Sequence, residues 1–501
     1  MKAIARSYNL FNESRFIAGM GGILIAMVTT FLLRYPYVWG LLFVVGLAVA
    51  IFSLTARDFR SYWLAIFALV LPLDIKKMLI DSGPVVDYVL KYGFPVGELP
   101  GPVLYLSDLP FLVLMVQWLS EIIFKKKKIF FPKSNWMALA FILWSIVSLI
   151  KATEFSSGIF ELLRMIKFYF LYLYVANNIQ SKETVKTFMK FLFIGLMFQG
   201  LLCLSQYLIQ DISYLFSNLM GKKEFYSAAQ IKLIEPMFRA GEDINAGIRA
   251  SGTVGPMNAQ AQYFEFLLPV AFLLWLTATT FRSSSFSLVT FTFGLLGLIV
   301  TFSRGGLAGI VIGLGVVLML SKWFKIISNR KFLIFFFITL TLCVVMAPMF
   351  YGYFMARPEA ASVRLHLSKV GLEMVRAHPI LGVGLNNHVV LKPEYDPRKY
   401  AFPMPVHNHY LIIASETGVP GLAFFLGFMG LTCLYALKAA RGKNLYLASV
   451  AVGILGALVA IALHILVDYL GSHTNMTLLW IYGGLAAAIN QANDNPSSGA
   501  L

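Results

Sequence analysis

The sequence predicts an all-α polytopic membrane protein, and three observations predict it: composition, the length of the apolar runs, and the placement of Lys and Arg. Of 501 residues, 58% are hydrophobic and only 13% charged, with a mean hydropathy of +0.75. A soluble chain of this size needs more charge to cover its surface. The apolar residues come in runs of about 15–23 between short polar links, the length of helices that cross a hydrocarbon core about 30 Å thick. Lys and Arg gather in particular links, as the orientation of spans demands.

Taken in order, the runs predict about fourteen spans, near 16–33, 36–54, 61–73, 105–124, 136–150, 159–177, 188–209, 258–279, 285–302, 305–321, 332–350, 419–438, 445–467 and 474–490. The first has no small-residue cleavage site after it, so it is expected to be a retained span rather than a signal peptide. The third is short. Basic links at 55–60, 125–135, 321–331 and 438–444 include Arg57, Arg60 and the run Lys125-Lys126-Lys127-Lys128. Placing them all in the cytoplasm lets every crossing alternate and puts both termini inside. Three longer outer segments result, at 74–104, 210–257 and 351–418.

The expected organisation is N-terminal transmembrane helices over 1–244 and an arginine-bearing transmembrane core over 245–350. A large helical extracytoplasmic loop follows over 351–418, then C-terminal transmembrane helices over 419–490 and a disordered tail over 491–501. The net charge of +17 is read first as orientation rather than nucleic-acid binding; the basic outer segment 351–418 suits an anionic ligand, while a solvated loop surface is the expected role of most of its Lys and Arg. Cys203, Cys343 and Cys433 sit in apolar runs without CxxC spacing, which suits core packing better than disulfides or metal.

Chemistry concentrates late in the chain. All seven histidines lie after residue 360: His366, His378, His388, His407, His409, His464 and His473. In "VHNHYLIIASETGVPG", residues 406–421, His407 and His409 stand at the mouth of a span. The nearest carboxylate is Glu416 and no HExxH occurs, so zinc spacing is missing and no metal is expected. An imidazole near neutrality can instead take a proton from a hydroxyl as its oxygen attacks carbon. Asn408 could orient the ring or substrate, and Gly418 and Gly421 could let helices approach closely. A loop side chain bonded to backbone is the alternative for either histidine, and it stays open here.

"TFSRGGLAG" places Arg304 in a tight outer link. There it either snorkels or marks function, because a buried membrane arginine costs roughly 2.5–3.5 kcal/mol. Arg249, in "GIRASGTVGPMNAQAQYF", and Arg364, in "ASVRLHLSKVGLEMVRAHPILGVGLNNH", fall on the same expected side. Guanidinium forks suit phosphate oxygens. A base and several cations fit attack of a hydroxyl on carbon with a phosphate or diphosphate leaving group.

At these residues the sequence resembles the O-antigen ligase and O-antigen polymerase superfamily of bacterial envelope enzymes. The family pattern, His then Asn, Ser or Gln, nine residues, then Gly-x-x-Gly, is met by His407, Asn408, residues 409–417 and Gly418-Val-Pro-Gly421. Leu422 stands where the family often has Thr or Val. "FSRGG" at 302–306, "HPILGVGLNN" at 378–387 and "RASGTVGPMNAQAQYF" at 249–264 are three further similar stretches; in the last, Met257 interrupts the usual Pro-Asn pair. The resemblance covers roughly residues 245–440.

It implies a GT-C-type, inverting, metal-independent glycosyltransferase without cofactors, acting on undecaprenyl-diphosphate-linked glycans at the periplasmic face of the bacterial inner membrane. It assigns the base to His407 and diphosphate binding to Arg304, Arg364 and, less directly, Arg249. Asn408, His409, Gly418 and Gly421 take supporting roles. Implied partners are the lipid-linked donor, a glycan or lipid acceptor, membrane lipid, and chain-length regulators or export proteins. Two products fit, polymerised exopolysaccharide or O-antigen and glycan ligated to lipid A core or protein; polymerase is the first reading. A flippase for lipid-linked oligosaccharide is the competitor from another class. It would use polar groups deep in spans, for which Arg164 with Lys167, and His464 with Asp468, are the candidates. The last two are expected to satisfy each other as a structural pair.

Overall fold

The computed structural model describes residues 36–78, 102–209, 249–355, 358–397 and 405–494. The expected first span, 16–33, lies outside them, as do most of the outer segments 74–104 and 210–257 and the end of the tail. Every later expected span coincides with a helix. In chain order these are α1 (Pro36–Thr55), α2 (Phe59–Val70), α3 (Asp108–Lys125), α4 (Ser134–Ser148), α5 (Phe155–Asn178), α6 (Lys182–Leu208), α7 (Met257–Leu276), α8 (Phe281–Val300), α9 (Arg304–Trp323) and α10 (Asn329–Met355). Two helices of the 351–418 segment follow, α11 (Pro358–Ala377) and α12 (His388–Tyr395), and then α13 (His409–Ala439), α14 (Leu445–His464) and α15 (His473–Asp494). A short antiparallel ribbon, β1 (Lys76–Met78) with β2 (Val103–Tyr105), precedes α3.

Among the described residues, seven helices are long and apolar enough to cross a membrane: α4 with its 3-10 extension, α6, α7, α8, α9, α13 and α14. The protein is thus an all-α polytopic membrane protein. Large apolar side chains stay exposed along these helices, among them Trp136, Leu143, Ile299, Ile312, Met319 and Leu434. An exposed apolar surface of that extent needs a partner, and lipid supplies it.

α7 is the central helix. It packs against α8, α9 and α14, and Gln260, Gln262 and Glu265 on it are fully buried. Close helix approach occurs between α9 and α14, where a Cβ on Gly313 would lie 2.7 Å from the Gly456 carbonyl oxygen. Small residues there bring two backbones together.

The two ends of the bundle differ chemically. At one end Glu121 accepts from Arg60 at 2.5 Å and from Lys127 at 3.2 Å, and the Lys133 backbone amide donates to the Tyr435 hydroxyl. The basic links lie at this end. The opposite end carries the starts of α7, α9 and α13 and the end of α14, with the histidines and arginines singled out above.

The polar pairs within the helices differ from the expectation. His464 bonds Glu265 of α7 at 2.5 Å, not Asp468. Arg164 pairs with Glu161 at 2.8 Å, and Lys167 with Asp108 at 2.9 Å. Charged groups in a low-dielectric interior need such partners. Sequence spacing suggested His464 with Asp468 because they are four apart, but the helix ends at His464 and the chain turns before Asp468.

Candidate active site

The α13 start is built by its own cap and by a neighbouring segment. Asn408 is extended, and its side chain accepts from the Leu411 amide at 3.1 Å, the usual N-cap arrangement. The His409 amide, with no partner inside its own helix, donates to the carbonyls of Ile465 and Asp468 at 2.9 and 3.1 Å. These bonds fix the turn that follows α14 against the start of α13.

His407 then lies over that turn. Its Nδ1 is 3.0 Å from Asp468 Oδ1, and its side chain keeps 17% of its exposure. Asp468 Oδ1 also accepts from the Tyr469 amide at 2.9 Å, and Oδ2 accepts from Asn258 Nδ2. Burial pushes the Asp468 carboxyl upward, but the bond and charge of His407, the charge of His464 and the Tyr469 amide outweigh it and hold it below the ordinary carboxylate range. An ionised carboxylate only accepts, so His407 carries a hydrogen on Nδ1, and in the neutral ring Nε2 is bare. That nitrogen can accept a proton, and the carboxylate would steady the resulting imidazolium.

The arginines approach the same end from three elements. Arg304 opens α9, whose N-cap Ser303 accepts from the Gly306 amide at 3.3 Å. A Cβ on Gly305 would stand 2.5 Å from the His464 ring, so the first turn of α9 rests on the end of α14. Arg364, half-buried on α11, is near enough for its charge to act on His464. Arg249 Nε donates to the Thr301 carbonyl at 2.9 Å, and its Nη2 to the Phe302 carbonyl at 3.2 Å and to Asn258 Oδ1 at 3.3 Å. It therefore binds the α8–α9 turn that precedes Arg304.

The loop bearing Arg249 is itself held by side chains of α6. Gln206 Oε1 accepts from the Ser251 and Gly252 amides, and Gln199 Oε1 from the Thr253 amide. Irregular backbone is tolerated at such depth only where its polar groups are matched.

His409 is placed away from His407. It is 7% exposed, meets Phe425 edge-on at 5.9 Å, and neither ring nitrogen has a hydrogen-bond partner among the described residues.

Gly418 and Gly421 were expected to ease helix approach at the start of a span. α13 instead begins at His409, and Gly418 breaks it from within at φ 71°, ψ 178°. That conformation is essentially confined to glycine. A Cβ there would overlap the Ile380 carbonyl oxygen. Loop 379–384 clasps this break: the Val383, Gly384 and Val419 amides donate to Ser415, Glu416 and Pro379 carbonyls at 2.7, 3.0 and 2.8 Å. His388 Nδ1 and Ser415 Oγ add a 2.7 Å bond below it. Burial drives the His388 ring down to about 3, the Lys392 charge adding to the effect. Gly421 packs inside the helix, against Thr417 and near Trp144.

Asp468, Asn258 and Glu265 were missed as site residues. The signal for the last two was present: Asn258, Gln262 and Glu265 recur at i, i+4 and i+7 along one face of an apolar helix. They meet Asp468, the Tyr469 carbonyl and His464 in turn.

Residues 288–426 match the family model described as O-Antigen ligase. The match takes in Arg304, Arg364, His407, Asn408, His409, Gly418 and Gly421; Arg249 precedes it and Asp468 follows it. No curated protein matches the chain. The family match supports a membrane glycosyltransferase of the O-antigen ligase or polymerase type.

Proposed function

We propose that this chain, which carries an O-antigen ligase family domain, is an inverting glycosyltransferase that moves a glycan from undecaprenyl diphosphate to a sugar hydroxyl. His407 Nε2 takes the acceptor hydroxyl proton as that oxygen attacks the anomeric carbon. The bond from that carbon to the diphosphate oxygen breaks, and configuration inverts. Arg304 and Arg364 hold the departing diphosphate, whose charge grows in the transition state. Asp468 keeps His407 in the productive tautomer and stabilises its protonated form. The bond between His407 Nδ1 and Asp468 is the observation that carries this reading.

The site lies at the end of the bundle opposite the basic links, so positive-inside orientation directs it to the periplasmic face of the bacterial inner membrane. There the donor's lipid tail stays in the bilayer while its glycan meets the acceptor. The architecture proposed is of the GT-C type, and the reaction proceeds without metal or cofactor. Chain-length regulators or export proteins are further proposed partners.

Of the two products, we favour a polymerase that joins repeats; the description of the matched family favours a ligase. Purified protein given a lipid-linked repeat alone tests both points. Wild type should lengthen it, and His407→Ala should lose about 10²–10⁴ in rate. Transfer that occurs only when lipid A core or protein is added selects the ligase. Undiminished transfer by folded His407→Ala removes the base from His407.

A further inference from the structure

Asn258 has one orientation available to it. A guanidinium offers only N–H donors, so the Asn258 atom facing Arg249 must be its carbonyl oxygen, and the contact is 3.3 Å. That choice turns the amide nitrogen toward Asp468 Oδ2, which it meets as donor. Asp468 Oδ1 remains for His407 Nδ1 and for the Tyr469 amide. Each link fixes the sense of the next, from Arg249 through Asn258 and Asp468 to the imidazole. Arg249 is itself anchored on the Thr301 and Phe302 carbonyls, one turn before Arg304.

We infer that Asn258 is a positioning residue that sets the tautomer of His407 through Asp468, and that Arg249 sets Asn258. The inference rests on the proposed use of His407 as base, because only then does the tautomer govern the reaction. It gives Arg249 a role other than holding the diphosphate. It also links the two halves of the site: the turn that presents Arg304 and the carboxylate that orients the base share one hydrogen-bonded chain. The charged groups facing His407 along this chain are Asp468 directly, Arg249 through Asn258, and His464, whose charge acts on Asp468 from behind.

Substitutions at Asn258 separate positioning from simple support. Asn258→Leu removes the donor to Asp468 and frees the carboxylate to turn. Asn258→Asp keeps size and shape but sets a second carboxylate against the first. The added negative charge favours hydrogen on both nitrogens of the His407 ring. Arg249→Met leaves the Asn258 amide free to flip and should reproduce the Asn258→Leu effect, and the two changes together should cost little more than either alone.

The readout is the pair of ¹⁵N resonances of His407 in full-length, ¹⁵N-histidine-labelled protein without substrate, assigned by their loss in His407→Gln. Wild type should show a protonated Nδ1 and a bare Nε2; Asn258→Leu and Arg249→Met should show mixed tautomers, and Asn258→Asp hydrogen on both ring nitrogens. Unchanged resonances in all three variants, with thermal stability matched to wild type, overturn the inference. Altered resonances in Asn258→Leu but not in Arg249→Met overturn the part assigned to Arg249. Because no glycan is present, this result stands apart from the proposed function: coupled resonances in a protein that transfers nothing would retain the positioning chain and remove the base.

Discussion

Replacing Asp468 with Asn tests how far the imidazole depends on its carboxylate. The substitution changes a single atom, but three neighbours constrain it. The new amide must accept from the Tyr469 amide and from His407 with its oxygen, so its nitrogen faces Asn258 Nδ2, another donor. Relief requires Asn258 to flip, which would point its nitrogen at Arg249, again a donor. Alternatively the amide introduced at position 468 flips, presenting its nitrogen to His407 and forcing the hydrogen to Nε2, the atom that must be bare. The second flip loses the productive tautomer, the first sets Asn258 against Arg249, and either way the charge that stabilises the imidazolium is gone. A mis-set tautomer beneath a catalytic histidine costs about 10²–10⁴ in rate, roughly 2.7–5.5 kcal/mol of transition-state stabilisation. Initial rates of glycan transfer from a lipid-linked donor, at equal amounts of folded protein, measure it. A rate within a few-fold of wild type would refute the reasoning.

Gly418→Ala should destabilise the outer loop by about 3 kcal/mol or more, since it adds strain at φ 71° of about 1–3 kcal/mol and disturbs hydrogen bonds worth about 1 kcal/mol each; differential scanning fluorimetry checks this, and an unchanged transition contradicts it. Acid should loosen the same loop. Free His388 protonates below about 6.5 but the docked ring resists until about 3, so docking is at full strength above the free value and weakens as pH falls, by about 2 kcal/mol at pH 5. Hydrogen exchange at the Val383 and Gly384 amides should accelerate accordingly between pH 7 and 5, after correction for intrinsic rates, and should not do so in His388→Gln.

Helices were legible because an apolar run of span length leaves the chain few alternatives, and a membrane interior forces every backbone group into pairing. Boundaries failed where a local polar device overrides hydropathy. α13 starts ten residues before its apolar run because Asn408 caps it and the 465–468 turn receives its first amide. Of the candidate site, residues with distinctive chemistry stood out: His407 and Arg304 are a titratable and a cationic group at the starts of α13 and α9, and Arg364 is a cation on α11. Their partners did not, because pairing across elements is set by tertiary geometry that sequence spacing does not carry. Asp468 was matched to His464 by a helical interval that the chain leaves at His464. Glu265 lay unnoticed in α7, although a lone carboxylate in an apolar span requires a partner, and His464 is that partner. Gly418 was read for helix packing, whereas its positive φ answers to the loop that clasps it.

The central claim is that His407 and Asp468 act as one unit, and a double-mutant cycle on glycan transfer addresses it most directly. Measured with a lipid-linked donor, His407→Ala, Asp468→Ala and the double variant should all fall to nearly the same residual rate, since removing either member disables both. Losses that multiply in the double variant would mean that the two residues serve separate purposes, and would contradict the account.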